Sequence, residues 1–359
     1  LADQATLTFR AQAANGLSDA VELELPVYAH GTPEVVGNAG QVTDSVRELV
    51  RLPDYIDGDR GELTLELSPS LAASMRYSLH YVEEYAYECT EQTISRFLPR
   101  LVLYRAINKL GLPDTFGLEG ELPGLVTRSI QRLYRGQNWD GGWGWWFGDT
   151  SNPEITAYAL FGLAEAREAG FAVDDYVLER ASQFLRDRLN EPTDVLHPQN
   201  PDTRAFMLFA LSEAGQGDLG LTNALAERPE TLSNYGKAFV AMTLLKLSDD
   251  PSNFRIQALI SDLTNAAILS NTGTHWQEED EDYRTMNTAT RSTAIVLAAL
   301  VRVRPDHPLV DSTVRWLMVA RRDGHWETTQ ETAMSLLALT DFLEASGELK
   351  ADYSYQVRV

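Results

Sequence analysis

One cysteine, Cys89, is all that the 359 residues contain. That excludes an internal disulfide and any multi-cysteine zinc or iron–sulfur site. Basic residues are scarce too: 30 Lys and Arg stand against 52 Asp and Glu, a net charge of -22. A broadly acidic surface repels nucleic-acid backbones and anionic membranes, so nucleic acid is not expected as a partner. Long apolar runs are also missing. None approaches the ~20 residues of a membrane-spanning helix, and no direct membrane insertion is expected. The opening residues Leu1-Ala-Asp-Gln-Ala-Thr-Leu-Thr-Phe-Arg10 lack the basic start and apolar core of a signal peptide. They read as a strand already under way. The last residues, Asp352-Tyr-Ser-Tyr-Gln-Val-Arg-Val359, alternate likewise and stop abruptly, so the chain reads as a piece of a longer protein. Ordinary globular content is not lacking: 44% hydrophobic and 23% charged residues argue against disorder. The length suits two or three domains, or one large domain with additions.

Residues 1 to about 68 have β character. Leu7-Thr-Phe-Arg-Ala-Gln-Ala alternates, Asn15-Gly16 marks a turn, and Ala20-Val-Glu-Leu-Glu-Leu-Pro-Val-Tyr28 alternates again, which predicts a hairpin. A second punctuation, Asp57-Gly-Asp-Arg-Gly61, precedes Glu62-Leu-Thr-Leu-Glu-Leu67. From Ser68 to about Gly347 the period becomes helical. Helical segments are predicted from Ser95, over Glu154 to Glu168, Tyr176 to Leu189, Thr203 to Ala214, Tyr235 to Leu247, Phe254 to Leu269, Ala289 to Val303, Leu309 to Arg321 and Thr329 to Ala345. Gly and Pro mark most of the joins. Several helices repeat one small-residue, apolar phrase: Ile155-Thr-Ala-Tyr-Ala-Leu-Phe-Gly-Leu163, Arg204-Ala-Phe-Met-Leu-Phe-Ala-Leu211, Ser292-Thr-Ala-Ile-Val-Leu-Ala-Ala-Leu300 and Thr332-Ala-Met-Ser-Leu-Leu-Ala-Leu339. Such helices are buried all round. Helical hairpins repeated every ~40–50 residues stack as an open solenoid or close into a toroid. Closure is expected, because an open array would leave one long apolar face wet.

The decisive stretch is Tyr85-Ala-Tyr-Glu-Cys-Thr-Glu-Gln92. Residues three apart at the entry to a helix face each other. A thiol and a carboxamide held so can condense with loss of ammonia to an internal thioester, closing a ring of about fifteen atoms along standard bonds. A thioester is an activated acyl group, since thiolate, with a conjugate acid of pKa ~8.5, leaves readily. It survives in water only where it is shielded, and Tyr77, Tyr85 and Tyr87 have the flat faces to act as lids. The residues alone leave a second reading open, a buried core cysteine.

Cys89-Thr-Glu-Gln92, preceded by Tyr-x-Tyr and followed by a helix, resembles the thioester motif of the alpha-2-macroglobulin and complement family. Asp19-Ala-Val-Glu-Leu-Glu-Leu-Pro-Val27 is similar to the end of that family's last macroglobulin-like domain before the thioester region. Glu62-Leu-Thr-Leu-Glu-Leu-Ser-Pro-Ser-Leu-Ala-Ala73 resembles the bacterial members' entry into the thioester domain. The resemblance covers essentially the whole chain. It implies a mainly α chain: the end of a macroglobulin-like β domain at 1–32, the first part of a CUB-like β-sandwich at 33–68, a thioester α/α toroid at 69–348, and a return strand into the CUB-like domain at 349–359. It implies no cofactor beyond a Cys89–Gln92 cross-link. The role would be a single-use covalent trap, not an enzyme. Target proteases would be captured through the acyl group of Gln92 after bait cleavage elsewhere in the protein, and neighbouring macroglobulin-like domains would be further partners. Bacterial relatives work in the periplasm or at the cell surface. A disulfide-free chain fits a bacterial member better than a secreted animal one. One departure stands out: the family usually has Gly before the Cys, and here it is Glu88. If that position needs a positive φ, Glu carries a steric cost.

Some complement members carry a His about a hundred residues after the Cys that forms an acyl-imidazole and favours hydroxyl acceptors. His197, in Val195-Leu-His-Pro-Gln-Asn200, stands in about that place. Asn200 could fill the position instead, which would mean amine preference. The pairs His275-Trp276 and His325-Trp326 recur at one point of the repeat and read as structural. The tract Gln137-Asn-Trp-Asp-Gly-Gly-Trp-Gly-Trp-Trp146 is expected to plug the toroid end, the alternative being to line the thioester pocket. Glu278-Glu-Asp-Glu-Asp282 lacks the Gly and spacing of a calcium loop and reads as a solvated turn. Competing functions are a complement-like surface tag or adhesin, a toroid enzyme of the glycosidase or cyclase type, and a cysteine transferase or protease pairing Cys89 with His197, for which no third orienting residue is evident.

Overall fold

The computed structural model describes residues 4–27, 75–109, 117–191, 200–278 and 285–347, with single positions 45, 47, 49, 65, 71 and 114. The chain divides into two compact units, one of residues 1–37 and 47–60, the other of 38–46 and 61–359. The expected CUB-like pieces at 33–68 and 349–359 lie outside the described residues, those single positions aside.

In the first unit, β1 (Gln4–Gln12) and β2 (Ser18–Pro26) form an antiparallel hairpin in which Leu7 faces Leu23 and Phe9 faces Val21. The predicted turn is present in a longer form. Gly16 donates to the Ala13 carbonyl at 3.0 Å, Ala13 donates to the Leu17 carbonyl at 2.8 Å, and Gly16 has φ 83°. This is a three-residue loop closed by a left-handed glycine, a conformation that costs any other residue.

The second unit alternates helices lying outside and inside a ring. Among the described residues there are twelve: α1 (Arg76–Glu84), α2 (Thr90–Lys109), α3 (Leu118–Gly136), α4 (Pro153–Glu168), α5 (Asp175–Asn190), α6 (Pro201–Glu213), α7 (Leu219–Ala226), α8 (Asn234–Ser248), α9 (Phe254–Asn265), α10 (Ala289–Val303), α11 (Val310–Val319) and α12 (Thr329–Ser346). The even-numbered helices touch in sequence order, and α12 returns to α2, so the inner ring closes. Four of them, α4, α6, α10 and α12, carry the small-residue phrases of the sequence, and on α4 every side chain from Glu154 to Ala166 is buried. Gly162 shows why small residues are needed: a Cβ there would lie 2.9 Å from Ile94 Cγ2 on α2. The odd-numbered helices form the outer layer, and all but the short α7 bury one apolar stripe. Three of them, α1, α3 and α7, carry no strong signal in the sequence. In α3, Gly120, Pro123 and Gly124 resemble a loop, although Pro is tolerated in a helix's first turns.

The helix predicted over Phe254 to Leu269 is a correction: α9 stops at Asn265. Residues Ile268–Ser270 form β3, paired antiparallel with β4 (Gly273–His275). Leu269 is exposed, so its apolar spacing does not create a buried helical face.

Three turns into inner helices share one lock. Trp143, Trp276 and Trp326 are fully buried. Each indole donates to a carbonyl near the end of the preceding outer helix: Leu133 at 2.7 Å, Leu263 at 2.7 Å and Leu317 at 2.9 Å. Each Trp backbone N–H donates to a threonine of the following inner helix, Thr156, Thr293 or Thr332, at 2.9, 2.9 and 3.3 Å. The His-Trp pairs are therefore structural at their tryptophans. The tract around Trp143 is only in part a plug. Trp143 is buried, but Trp139 is 92% and Trp146 53% exposed.

The N-termini of the inner helices meet at one end of the ring, which is filled by polar side chains. Arg291 of α10 is fully buried and reaches Glu154 of α4 at 3.4 Å, across the ring, while its guanidinium lies 5.0 Å above the Tyr235 ring of α8. Asp202 of α6 accepts from the Ser233 backbone N–H before α8 at 2.9 Å. Glu278 accepts from the Asn234 backbone and side chain at 3.1 and 3.0 Å. The rest of that acidic run, 279–282, lies outside the described residues. Cys89 stands at this end, immediately before α2.

Candidate functional site

Cys89 caps α2. Its carbonyl accepts the Thr93 N–H at 2.9 Å and the Thr93 hydroxyl at 2.8 Å. The Gln92 N–H donates to Cys89 Sγ at 3.4 Å, and the Cys89 N–H donates to Gln92 Oε1 at 3.1 Å. This is the reciprocal pattern of a capping box, with sulfur in place of the usual hydroxyl and a carboxamide as the returning group. Two orphan amides of the helix start are satisfied, and thiol and amide are brought together as the spacing predicts. Cys89 is free and buried. Burial pushes its thiol up to about 11, against a smaller opposing effect of the Gln92 amide. A neutral, desolvated thiol is unreactive at physiological pH.

The segment before Cys89 is held by arginines. Glu88 accepts from Arg96 Nη1 at 3.0 Å and pairs with Arg132 Nη1 at 2.9 Å. The bond from Arg96, and next the charge of Arg132, hold the Glu88 carboxyl below the usual range. The Nη2 nitrogens take backbone carbonyls: Arg96 that of Tyr85 at 3.0 Å, Arg132 that of Glu88. The steric concern raised by Glu88 does not arise. The non-glycine residues with positive φ among those described are Asp249, Met286 and Asp323. On the far side, Thr90 N–H donates to the Trp145 carbonyl at 2.9 Å, so the Gly-Trp loop also covers the start of α2. The tract therefore packs a buried Trp143 at the ring and lays Trp145 beside the start of α2. Glu88, Thr90, Thr93, Arg96, Arg132 and Phe147 share a cleft of about 690 Å³.

Inside the motif, Glu91 points away from the cleft into the ring. Ser95 donates to it at 2.5 Å and Thr329 of α12 at 2.9 Å. Ser95 also meets the buried Tyr158 hydroxyl at 3.0 Å. Burial raises the Glu91 carboxyl, and the two hydroxyls oppose that only in part. Glu91 therefore ties the first inner helix to the last at the seam where the ring closes.

The expected lids are distributed unevenly. Tyr85 and Tyr87 lie 6.2 Å apart, and Tyr85 meets Tyr81 edge-on at 5.7 Å. Tyr81 stacks on His325 at 3.6 Å. This string of rings runs along the segment that leads to Cys89. Tyr77 is exposed, with its Cβ against Gly324, one turn before Tyr81 on α1. His197 lies outside the described residues. The Asn200 side chain is a structural cap of α6, accepting from Asp202 N at 2.8 Å. His275 stacks on Trp316 at 4.6 Å. Among the described residues no group of three or more His, Cys, Asp or Glu is placed to hold a metal ion, and no helix is long and apolar enough to cross a membrane. Sequence reasoning missed Arg96, Arg132, Tyr81 and Thr329. Arg96 had a weak signal, two helical turns after Cys89. Tyr81 lies only eight residues before Cys89, at helical spacing from Tyr77 and Tyr85; Arg132 and Thr329 come from remote elements and had no signal.

Comparison with known proteins places this geometry in context. The family model of the A-macroglobulin TED domain matches residues 218–342, which run from α7 into α12. The chain is 30% identical to an alpha-2-macroglobulin of Thermotoga maritima over 171 residues, 47% of this chain and 10% of that protein. It is 27% identical to an alpha-2-macroglobulin homolog of Yersinia pestis over 274 residues, 73% of this chain and 13% of that one. It spans only a small part of these relatives' length. Among solved structures, Salmonella alpha-2-macroglobulin reacted with methylamine aligns with a TM-score of 0.60 at 22% identity, over 76% of this chain and 18% of its own. Native Escherichia coli alpha-2-macroglobulin from domain MG7 to the C-terminus aligns at 0.58 and 21%, over 74% of this chain and 42% of its own. At such identities the likeness is one of fold.

Proposed function

Since this chain belongs to the alpha-2-macroglobulin family of thioester-domain proteins, we propose that Cys89 and Gln92 form an internal thioester that captures proteases covalently. The observation that carries the reading is the reciprocal box in which Gln92 Oε1 accepts the Cys89 N–H and Cys89 Sγ accepts the Gln92 N–H. Condensation joins Sγ to Cδ of Gln92 and releases ammonia. In the thioester the same two amides would serve the chemistry. The Cys89 N–H faces the acyl oxygen, where negative charge develops under attack. The Gln92 N–H faces the sulfur that leaves. An attacking amine forms a bond to Cδ, the Sγ–Cδ bond breaks, and the amine proton ends on the thiolate.

Burial restrains this reaction in the folded chain. A thiol pushed up to about 11 is a poor leaving group, so the acyl group is kept until the pocket is opened. The Salmonella relative is described as reacted with methylamine, and Escherichia coli relatives as activated by trypsin and by porcine elastase. Those descriptions support amines as acceptors and proteolysis of the intact protein as the trigger; the amines of a captured protease would be those of its lysines. Hydroxyl transfer would depend on His197 as an acyl-imidazole. The setting is extracytoplasmic, where a second thiol would exchange with the ester.

Intact mass of the freshly purified full-length protein, with and without methylamine, tests the reading. The expected result is a gain of methylamine and one newly titratable thiol. A Cys89 that is alkylatable from the outset, with no mass gain, overturns it. Comparing glycerol with methylamine uptake in His197→Ala tests the acceptor; unchanged glycerol transfer removes His197 from the mechanism.

A further inference from the structure

Glu88 stands where the family pattern has glycine, and its surroundings give it a role. Its two carboxylate oxygens are divided between guanidinium groups on different helices, Arg96 on α2 at 3.0 Å and Arg132 on α3 at 2.9 Å. Those same guanidinium groups hold the carbonyls of Tyr85 and Glu88 itself. The segment 85–88 has no helix or sheet partner of its own. Its backbone is fixed here by arginine forks, a geometry that matches planar acceptors in pairs. We propose that Glu88 is a positioning residue. Bridged between Arg96 and Arg132, it latches residues 85–88 onto α2 and α3 and holds Cys89 in its box with Gln92.

An exposed ion pair by itself contributes little, and the Glu88 and Arg132 side chains are 49% and 50% exposed. Two features lift this one above that baseline. The charges form a connected set of three, and two of the bonds end on backbone atoms beside the motif. The cleft is also cationic beyond what Glu88 neutralises. Arg128 and Arg135 line it, and among the described residues neither forms an ion pair. Glu83, the cleft's other carboxylate, is taken by Arg100, so Glu88 is the anion that meets this local field, in a chain of net charge -22. Only the consequence for acyl-group lifetime rests on the thioester reading; the latch itself does not.

The experiment measures alkylation of Cys89 by iodoacetamide in the 359-residue chain after methylamine treatment, which leaves the thiol free whether or not a thioester was present. Glu88→Gln is expected to raise the alkylation rate roughly fivefold, the upper end for an exposed pair. Arg132→Gln should do the same, and the double variant should exceed neither. Salt on the order of 0.5 M, which shortens screening to a few ångströms, should raise the wild-type rate and leave Glu88→Gln unmoved. Glu88→Asp, which keeps the charge, should stay near wild type. Glu191→Gln, which breaks an exposed pair with Arg188, should change nothing. A salt-independent wild-type rate equal to that of Glu88→Gln and Arg132→Gln overturns the latch. So does Glu88→Asp matching Glu88→Gln, which would make the effect one of shape. If Glu88→Gln fails to fold, Arg132→Gln and the wild-type salt response decide. In chains that take up methylamine, Glu88→Gln should lose that capacity faster on storage. Absence of uptake in every variant would sink the thioester and leave the alkylation result standing.

Discussion

Two inner helices of the ring begin with the same device built from different atoms. At α12, Glu331 N–H donates to the Thr328 hydroxyl at 3.1 Å, and Thr328 N–H donates back to the Glu331 carboxylate at 3.3 Å. At α2 the hydroxyl is a thiol, the carboxylate is a carboxamide, and the distances are 3.4 and 3.1 Å. The first is an ordinary capping box that stabilises a helix end. The second has the same geometry and a different potential. Thiol and carboxamide can condense with loss of ammonia, whereas a hydroxyl and a carboxylate held so stay a cap. The helices adjoin at the seam, joined by Glu91 and Thr329. The candidate site is thus a helix cap with two atoms exchanged, oxygen for sulfur and oxygen for nitrogen, so its placement needed no new backbone.

The largest expected effect separates the two boxes by chemistry. Cys89→Ser should abolish methylamine uptake completely while the thermal midpoint moves by only a few degrees, because serine is the better N-cap; unfolding instead would show that sulfur packing dominates. Next is the thiol itself. With its pKa displaced from 9.0 to about 11, Cys89 freed by methylamine should alkylate about a hundredfold slower at pH 8 than a small thiol. Its rate should keep climbing to about pH 11, because the deprotonated fraction rises until the pKa is passed; a plateau near pH 9 would mean an open pocket. Third, Trp326→Ala, which removes the lock before α12, should cost about 3–5 kcal/mol in urea unfolding, with uptake retained in the folded fraction. Smallest is Thr328→Ala: about 1 kcal/mol of stability and no change in uptake. A loss of uptake there would show that the two boxes are coupled across the seam.

Much of the fold is legible in the sequence. The hairpin follows from alternation around Asn15-Gly16, and the inner helices α4, α6, α10 and α12 follow from one apolar phrase repeated, since a helix buried on all sides must be apolar on all sides. Ring closure follows from the same phrase. The outer helices α1 and α3 are illegible because one apolar stripe in a short or Gly-Pro-punctuated segment is a weak signal, and α7 because it is two turns long and buries only Thr222. Trp139 and Trp146 mislead, because an aromatic tract reads as core until a turn points half of it outward. Leu269 misleads for the same reason, at the end of a helix that a hairpin replaces.

At the site, the sequence by itself determined which atoms can react. Cys89 and Gln92 stand three apart at a helix start, and local backbone geometry obliges them to meet. The tertiary structure decided the conditions under which they do so. The charges that fix the preceding segment come in part from Arg132, 44 residues away, and the partner that anchors Glu91 is Thr329, 238 residues away. The shielding of the thiol depends on how α2, α3 and the Trp145 loop pack. Short-range pairing is written in spacing because a helix has one period. Burial, and the reactivity it sets, comes from surfaces that meet only when the ring has closed.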